Sequence, residues 1–456
     1  MINKRFALVA ICFIALFARP FFALPDEEET GVSALEKQRR DTLLFGTETE
    51  ISSLIQTLKN EKITYLDKEL IEIAQKTRNR AILAGIFGFF SEMEKTGLEE
   101  RAIRAVKERD QELNDTVLAA VDYLGKIKSN ESVECLEELI NSGESRFLNS
   151  ALRSLGRAGS IEQADSIAGY LLDFYENKKP SEESKREIII ALGETGSKEG
   201  VSFLSALIKN SDERAPLRMA ALEAMAKIGD EAGIDAVIEA VSSTDPNVRS
   251  TAVASLSPFS GELVDNAILE AFRDSYYRTR IGATQTAGKK QLETAIPYLR
   301  YRAENDEVPN VKDEAIKALG AINTSETTAI LDSLFAERKN SDRVRIVAAE
   351  MLLKNDAENY GKKVLAEMEI AKSSNQTPLY NGFIRVMGTG KSASMEEIAR
   401  HFIAVGGVIE KSLALDIILN NNFTGLEDLM RTLLDEKIHS PSISRKAQST
   451  LDKLGL

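Results

Sequence analysis

The string GTGKS at 388–392 could bind phosphate by residue type, because glycine amides and a lysine hold the anion in phosphate-binding loops. That motif needs a further glycine at position 385, where this chain has Arg385. It also needs a strand before the loop, whereas the apolar spacing before residue 388 predicts a helix. We therefore interpret the string as a helix-ending turn and expect no bound nucleotide.

The remaining reactive residue types form no obvious catalytic or metal site. The chain has two histidines, His401 and His439, too far apart in the predicted helices to share a site. No pair of cysteines and no Ser-His-acid set has a usable spacing. Cys135, beside Leu136 and Leu139, is expected to be a half-buried structural thiol. The sequence predicts a protein that is not an enzyme and uses no metal or cofactor.

The segment 273–302 stands out because it holds seven Lys or Arg against two Asp or Glu, a formal +5, in an acidic chain. It also holds four tyrosines, and Tyr and Arg are enriched at binding hot spots. It predicts a docking surface for an acidic protein partner, made by Tyr276, Tyr277, Arg278, Arg280, Tyr298, Tyr301 and Arg302. The alternative is a solvated repeat whose cations pair with acidic neighbours.

These residues belong to a repeat marked by a Leu-Gly step or a close variant of it. The step occurs at Phe45-Gly46, Phe87-Gly88, Leu124-Gly125, Leu155-Gly156, Leu192-Gly193, Met225-Ala226, Leu256-Ser257, Ala287-Gly288, Leu319-Gly320, Leu352-Leu353, Met387-Gly388, Leu419-Asn420 and Leu454-Gly455. From Gly125 onward the gaps are 31 to 37 residues. A sustained period of this length predicts an elongated repeat array.

Residues 217–241 show the unit most clearly, with two apolar stripes of helical period. Gly229 is placed to end the first helix and Asp230 to cap the next. Each repeat is therefore predicted to be a helical hairpin. A single hairpin buries too little apolar surface to be stable, so the units must stack. The polar insertion at 177–183, before Gly193, is predicted to be a surface loop.

The repeat resembles HEAT-like repeats, particularly the short class named after phycobilisome lyases. The segments that carry the resemblance are 147–160, 245–256, 309–322 and 342–353, each with an Ala-rich or Val-Arg first helix. The resemblance implies an all-α, right-handed α-solenoid of about 12 or 13 hairpins, with the second helices on the concave face. It also implies that Asp245, Asn247 and Arg249, and likewise Asp342 and Arg345, cap helices and pair neighbouring repeats.

The N-terminus differs from the repeats. Lys4 and Arg5 precede an apolar run at 6–18, which is typical of a secretory signal peptide. We predict three parts, a signal peptide at 1–23, a charged segment at 24–41 and the solenoid at 42–456. Removal of residues 1–23 changes the formal charge from −13 to −16, because Lys4, Arg5 and Arg19 are lost. Such a chain is expected to repel nucleic acid and anionic lipid.

The functional expectation is a non-catalytic scaffold or adaptor in a bacterial cell envelope or periplasm, with a protein partner along the concave face. One alternative is a lyase-like enzyme, or enzyme subunit, that binds a small ligand in a groove. Another is a subunit of an envelope complex that residues 6–18 anchor in the inner membrane. With a cleaved signal, direct membrane insertion is not expected. The sequence leaves the oligomeric state open.

Overall fold

The computed structural model describes residues 34–456, so the predicted signal peptide lies outside the described residues. Within that range the regular structure is helical, with 25 α-helices, seven short 3-10 helices and no strand. The helices are α1 (Ala34–Phe45), α2 (Glu48–Glu61), α3 (Asp67–Lys76), α4 (Arg80–Glu92), α5 (Glu99–Lys107), α6 (Asn114–Lys126), α7 (Val133–Asn141), α8 (Ser145–Arg157), α9 (Ala164–Asn177), α10 (Glu182–Thr195), α11 (Val201–Lys209), α12 (Ala215–Ile228), α13 (Ile234–Ala240), α14 (Pro246–Ser255), α15 (Glu262–Ala271), α16 (Tyr277–Lys289), α17 (Ile296–Asn305), α18 (Pro309–Ile322), α19 (Ser325–Ala336), α20 (Asp342–Ser373), α21 (Thr377–Met387), α22 (Met395–Val405), α23 (Val408–Asn421), α24 (Glu427–Thr432) and α25 (Pro441–Leu454).

The helices stack in two layers. The first layer holds the even-numbered helices from α2 to α18, the first part of α20, then α21, α23 and α25. The second layer holds the odd-numbered helices from α1 to α19, the second part of α20, then α22 and α24. Helix α20 belongs to both because its backbone breaks at Asp356 (φ −152°, ψ 68°). The predicted all-α solenoid is confirmed. Helix α1 overlaps the charged segment predicted at 24–41.

Two features of the predicted repeat boundaries are confirmed. Gly229 ends α12 in the left-handed region (φ 65°), which glycine adopts without steric cost. Asp230 follows and accepts a hydrogen bond from the amide of Ala232. At the next repeat Asp245 caps α14, where its Oδ1 accepts the amide of Asn247 at 2.8 Å. These caps satisfy amides that a helix start leaves unpaired.

Two glycines of the Leu-Gly step, Gly156 and Gly193, let neighbouring first-layer helices pack closely. Gly156 lies inside α8, and a Cβ built on it would lie 2.5 Å from Cα of Ala191 in α10. A Cβ on Gly193 would lie 2.6 Å from Cα of Ala224. Because these two glycines have no side chain, the next first-layer helix can pack directly against them, and they do not end their own helix.

The first step, Phe45-Gly46, lies at the end of a second-layer helix, whereas the later steps lie in the first layer. Helix α1, which it ends, packs against α3, whereas α2 packs against α4. Phe45 is 82% exposed, unlike Phe87 at the corresponding step of α4, which is fully buried. Helix α1 is thus a second-layer helix at the start of the array.

Two hydrophobic cores run along the array. One extends from Leu43 to Leu192 and the other from Ile189 to Leu451. They meet in α10, where consecutive residues, Ile188 and Ile189, belong to different cores. The polar insertion at 177–183 precedes this junction and is largely exposed. The predicted loop is confirmed for residues 178–181, whereas residue 177 ends α9 and residues 182–183 begin α10.

Among residues 34–456, no helix combines the length and the apolar character needed to span a bilayer.

Candidate protein-docking surface

Arginines in the first layer pair neighbouring repeats, as the resemblance to HEAT-like repeats implies for Arg249. The guanidinium of Arg249 in α14 donates to both carboxylate oxygens of Asp274, at 2.7 and 3.1 Å. It also donates to the carbonyl of Ser243, at 2.9 Å. Asn247 accepts a hydrogen bond from the hydroxyl of Tyr276 at 3.1 Å. One side chain thus joins a loop of its own repeat to the start of the next.

Arg280 repeats this arrangement one unit later, so its predicted place in the docking surface is wrong. Its Nε and Nη2 donate to Asp306 at 2.8 and 2.9 Å, and its Nη1 donates to the carbonyl of Asp274 at 3.0 Å. The side chains of Arg280 and Asp306 are only 6% and 0% exposed. The position has the register of Arg249, so its role is inter-repeat pairing.

The carboxylates of this ladder have lowered pKa values. Burial alone would raise the pKa of Asp306, but hydrogen bonds from Arg280 and from the amide of Val308 outweigh it and lower that pKa. The pKa of Asp274 is lowered in the same way, against burial, by Arg249 and the amide of Tyr276. Both carboxylates therefore stay charged at neutral pH.

Arg345 extends the ladder into α20. Its Nε donates to the carbonyl of Phe335 at 2.9 Å, and its Nη2 pairs with Glu367 at 2.7 Å. The predicted cap at Asp342 is wrong by one residue. Ser341 caps α20, because its hydroxyl oxygen accepts the amide of Val344.

The positive charge of segment 273–302 is mostly balanced by acidic residues just outside it. Five of its seven cations pair there, as Arg273–Glu270, Arg280–Asp306, Lys290–Asp265, Arg300–Glu304 and Arg302–Asp306. Within residues 34–456, Arg278 and Lys289 have no acidic partner at salt-bridge distance. The segment is therefore not a strongly basic surface, and pairing with acidic neighbours, the alternative interpretation, accounts for most of its charge.

A partly exposed group of aromatic and guanidinium side chains remains on α17 and just after α15. The Arg273 guanidinium lies 5.4 Å from the ring centre of Tyr298, and that of Arg302 lies 5.3 Å from the ring centre of Tyr301. With Pro297, these four side chains line a hollow of about 280 Å³. Tyr301 is 57% exposed. These five residues are called the α17 surface below.

Three further predicted residues lie at the start of α16. The rings of Tyr276 and Tyr277 meet edge to face, with centres 5.4 Å apart. The Nε of Arg278 donates to the hydroxyl of Tyr277 at 3.2 Å. The seven predicted residues therefore divide into this edge group, the α17 surface and the buried Arg280.

The α17 surface includes two residues absent from the predicted set, Arg273 and Pro297. Arg273 follows α15, and its Nη2 reaches the hydroxyl of Tyr298 at 3.5 Å. The signal that could have found it is the repeat register, since the end of one second-layer helix lies beside the next such helix. Pro297 carries no comparable signal in the sequence.

The residues considered for chemistry are not brought together. The amide of Ser392, in the GTGKS string, donates to Oδ1 of Asn421 at 3.0 Å, as part of a turn after α21. His401 is exposed in α22, and His439 lies after α24. Burial raises the pKa of the Cys135 thiol to about 11. Within the described range, no three His, Cys, Asp or Glu side chains are grouped to hold a metal ion.

Comparison with known proteins gives one family match. The sequence model of the spirochaete HEAT repeat protein family matches residues 43–450. The crystal structure of Kap121p is similar over 91% of this chain and 53% of that chain, at 12% identity and a TM-score of 0.44. Importin beta, crystallised in a polyethylene glycol condition, is similar over 92% of this chain and 69% of that chain, at 12% identity and a TM-score of 0.44.

This chain therefore spans about half the length of Kap121p. No curated protein matches the sequence significantly. The predicted HEAT-like repeats are confirmed by the family match, which covers nearly all of the described residues. The chain belongs to the spirochaete HEAT repeat protein family.

Proposed function

We propose that the chain is a non-catalytic scaffold that holds a protein partner on its second layer, at the α17 surface. The observation that carries this proposal is the pairing of exposed Tyr301 and half-buried Tyr298 with two guanidinium groups around one hollow. Tyr and Arg bring large contact areas and directed hydrogen bonds, which is why they dominate binding hot spots. HEAT-repeat arrays typically present such surfaces to proteins.

The remaining donors of the two guanidinium groups give this surface a preference for carboxylates. Arg273 uses Nη1 on Glu270, and Arg302 uses Nη1 on Asp306. A guanidinium has five N–H donors, so each arginine keeps donors for a partner. An acidic side chain entering the hollow would meet both cations, and the tyrosine rings would exclude water around it.

We also propose that the scaffold works outside the cytoplasm, in the periplasm or cell envelope, because residues 1–23 have the charge and apolar pattern of a signal peptide. N-terminal sequencing of the protein purified from its own cells tests this. A mature chain that begins at Leu24 supports export with cleavage. A chain that keeps residues 6–18 and sediments with membranes supports the anchored alternative.

Site-specific crosslinking tests the docking surface. Tyr301 is replaced by the photo-crosslinking residue p-benzoylphenylalanine in the full chain, in the native cells. The matched control carries the same residue at Glu223, an exposed position of α12 in the first layer. We expect one protein to crosslink at position 301 and not at 223, and Arg273→Gln with Arg302→Gln to reduce its yield at least tenfold. Equal yields from both positions would contradict the proposal.

A further inference from the structure

The close packing of first-layer helices is interrupted between α21 and α23. A Cβ built on Gly288 or Gly320 would lie within 3.0 Å of the next first-layer helix. At Gly388, the equivalent position of α21, the nearest atom of α23 would be Cδ1 of Leu413 at 3.5 Å. These two helices also share fewer contacts than their counterparts earlier in the layer.

The interruption leaves a groove of about 580 Å³ on the first layer. Ile384 of α21 and Leu413 of α23 line it, together with Val408 and Ile409 at the start of α23. Val408 and Ile409 are 53% and 54% exposed. The lining on α23 covers two helical turns, a length of roughly 11 Å. Adjacent exposed apolar side chains in a groove are typical of interaction sites.

The groove is held in place from the buried side. Glu410, the residue after Ile409, is buried and accepts hydrogen bonds from Lys372 at 2.5 Å and from the hydroxyl of Tyr380. Lys372 lies in α20 and Tyr380 in α21. The start of α23 is therefore fixed to two other helices, and its apolar residues at 408 and 409 face outward on a rigid support.

The charges around the groove favour an acidic neighbour. Arg385 lines it and is exposed, and the part of the chain that the structure describes offers it no acidic partner. Asp416, the acidic residue of the lining, pairs with Lys446 at 2.7 Å. One unpaired cation thus remains beside the apolar floor.

We propose that this groove binds an amphipathic helix of a protein partner, with apolar residues at i and i+4 in the groove and an acidic residue facing Arg385. Two parallel helices that fail to interdigitate leave a channel that accepts the side-chain ridge of a third helix. Helix-in-groove binding uses such an apolar pair as its anchors. The site lies on the first layer and does not depend on the α17 surface.

The probe is a phage-displayed library of random 16-residue peptides, selected on the full mature chain. We expect enriched peptides to share an i, i+4 pair of Leu, Ile, Met or Phe and a nearby Asp or Glu. The double variant Val408→Ser with Ile409→Ser should weaken the best peptide at least tenfold. The control is Val405→Ser, since Val405 is 71% exposed and does not line the groove. Arg385→Gln should remove the acidic preference and keep the apolar pair.

Failure to enrich such peptides, or equal binding by the native chain and the double variant, would overturn the proposal. Concentration-dependent dimerisation that Ile409→Ser abolishes would also overturn it, because the occupant would then be a second copy of this chain. Circular dichroism confirms that each variant keeps its helix content. The Arg385→Gln result decides the charge argument even if the double variant is poorly folded.

Discussion

The two layers use the same residue types for different purposes. In the first layer, glycines bring neighbouring helices into contact and buried arginines such as Arg280 join repeats. In the second layer, helices such as α17 pack less closely on one another and carry exposed Tyr and Arg side chains. Arg280 and Arg302 both pair with Asp306, yet Arg302 keeps 20% of its side chain exposed and Arg280 only 6%. The first layer therefore holds the close packing and the arginine ladder that maintain the array, and the second layer carries the surface proposed to bind a partner.

The largest effect is expected from breaking the buried pair of the ladder. Asp306→Ala leaves Arg280 charged and buried, which costs about 3 kcal/mol of unfolding free energy. Arg300→Gln is the control, because Arg300 pairs with Glu304 at the surface and such pairs contribute less than about 1 kcal/mol. Urea unfolding followed by circular dichroism measures both. Equal midpoints for the two variants would mean that the ladder does not support the array.

A Gly→Ala substitution should change the unfolding free energy in opposite directions at a close-packed first-layer position and at an open second-layer position. Gly156→Ala in α8 forces a methyl group against Ala191 and is expected to cost about 1 to 3 kcal/mol. Gly169→Ala in α9 meets no atom within 4 Å and should stabilise its helix by about 0.5 to 1 kcal/mol. Thermal unfolding of both variants measures the difference. A loss of stability at Gly169 as large as at Gly156 would contradict the comparison.

Acid should weaken the first layer through Asp274 and Asp306. Their folded pKa values are below the unfolded value of about 3.9, so their contribution is present above that pH and is lost as pH falls through the folded pKa. At pH values below about 4, the urea midpoint of the native chain should therefore decrease more steeply with falling pH than the midpoint of Asp306→Asn. Parallel curves for the two proteins would exclude Asp306 as a source of the acid sensitivity.

The smallest effect on stability is expected at the α17 surface. Tyr301→Ser removes a largely exposed ring and should change the unfolding free energy by less than about 0.5 kcal/mol. Differential scanning calorimetry against the native chain checks this. A loss as large as that of Gly156→Ala would place Tyr301 among the residues that maintain the fold.

The hairpins and the cap at Asp230 could be predicted because they depend on local spacing within one repeat. The pairing of Arg249 was implied by the resemblance to HEAT-like repeats. The burial of Arg280 was missed because its partner, Asp306, lies beyond the segment whose charges were counted. The role of Gly156 was missed because the neighbouring Ala191 is 35 residues away, and only packing brings the two together. The groove at α23 follows from the spacing of two helices, which no sequence motif records.

The most direct test of the division between layers compares Arg280→Gln with the pair Tyr301→Ser and Arg302→Gln. For each, the yield of the crosslinked partner is measured with p-benzoylphenylalanine in place of Tyr298, at equal amounts of folded protein. The urea unfolding midpoint of the same variants is measured in parallel. We predict that Arg280→Gln lowers the urea midpoint and leaves the crosslink yield unchanged. The second variant should leave the midpoint unchanged and lose the crosslinked partner. A lowered urea midpoint for the second variant, or an unchanged yield of its crosslinked partner, would contradict the account.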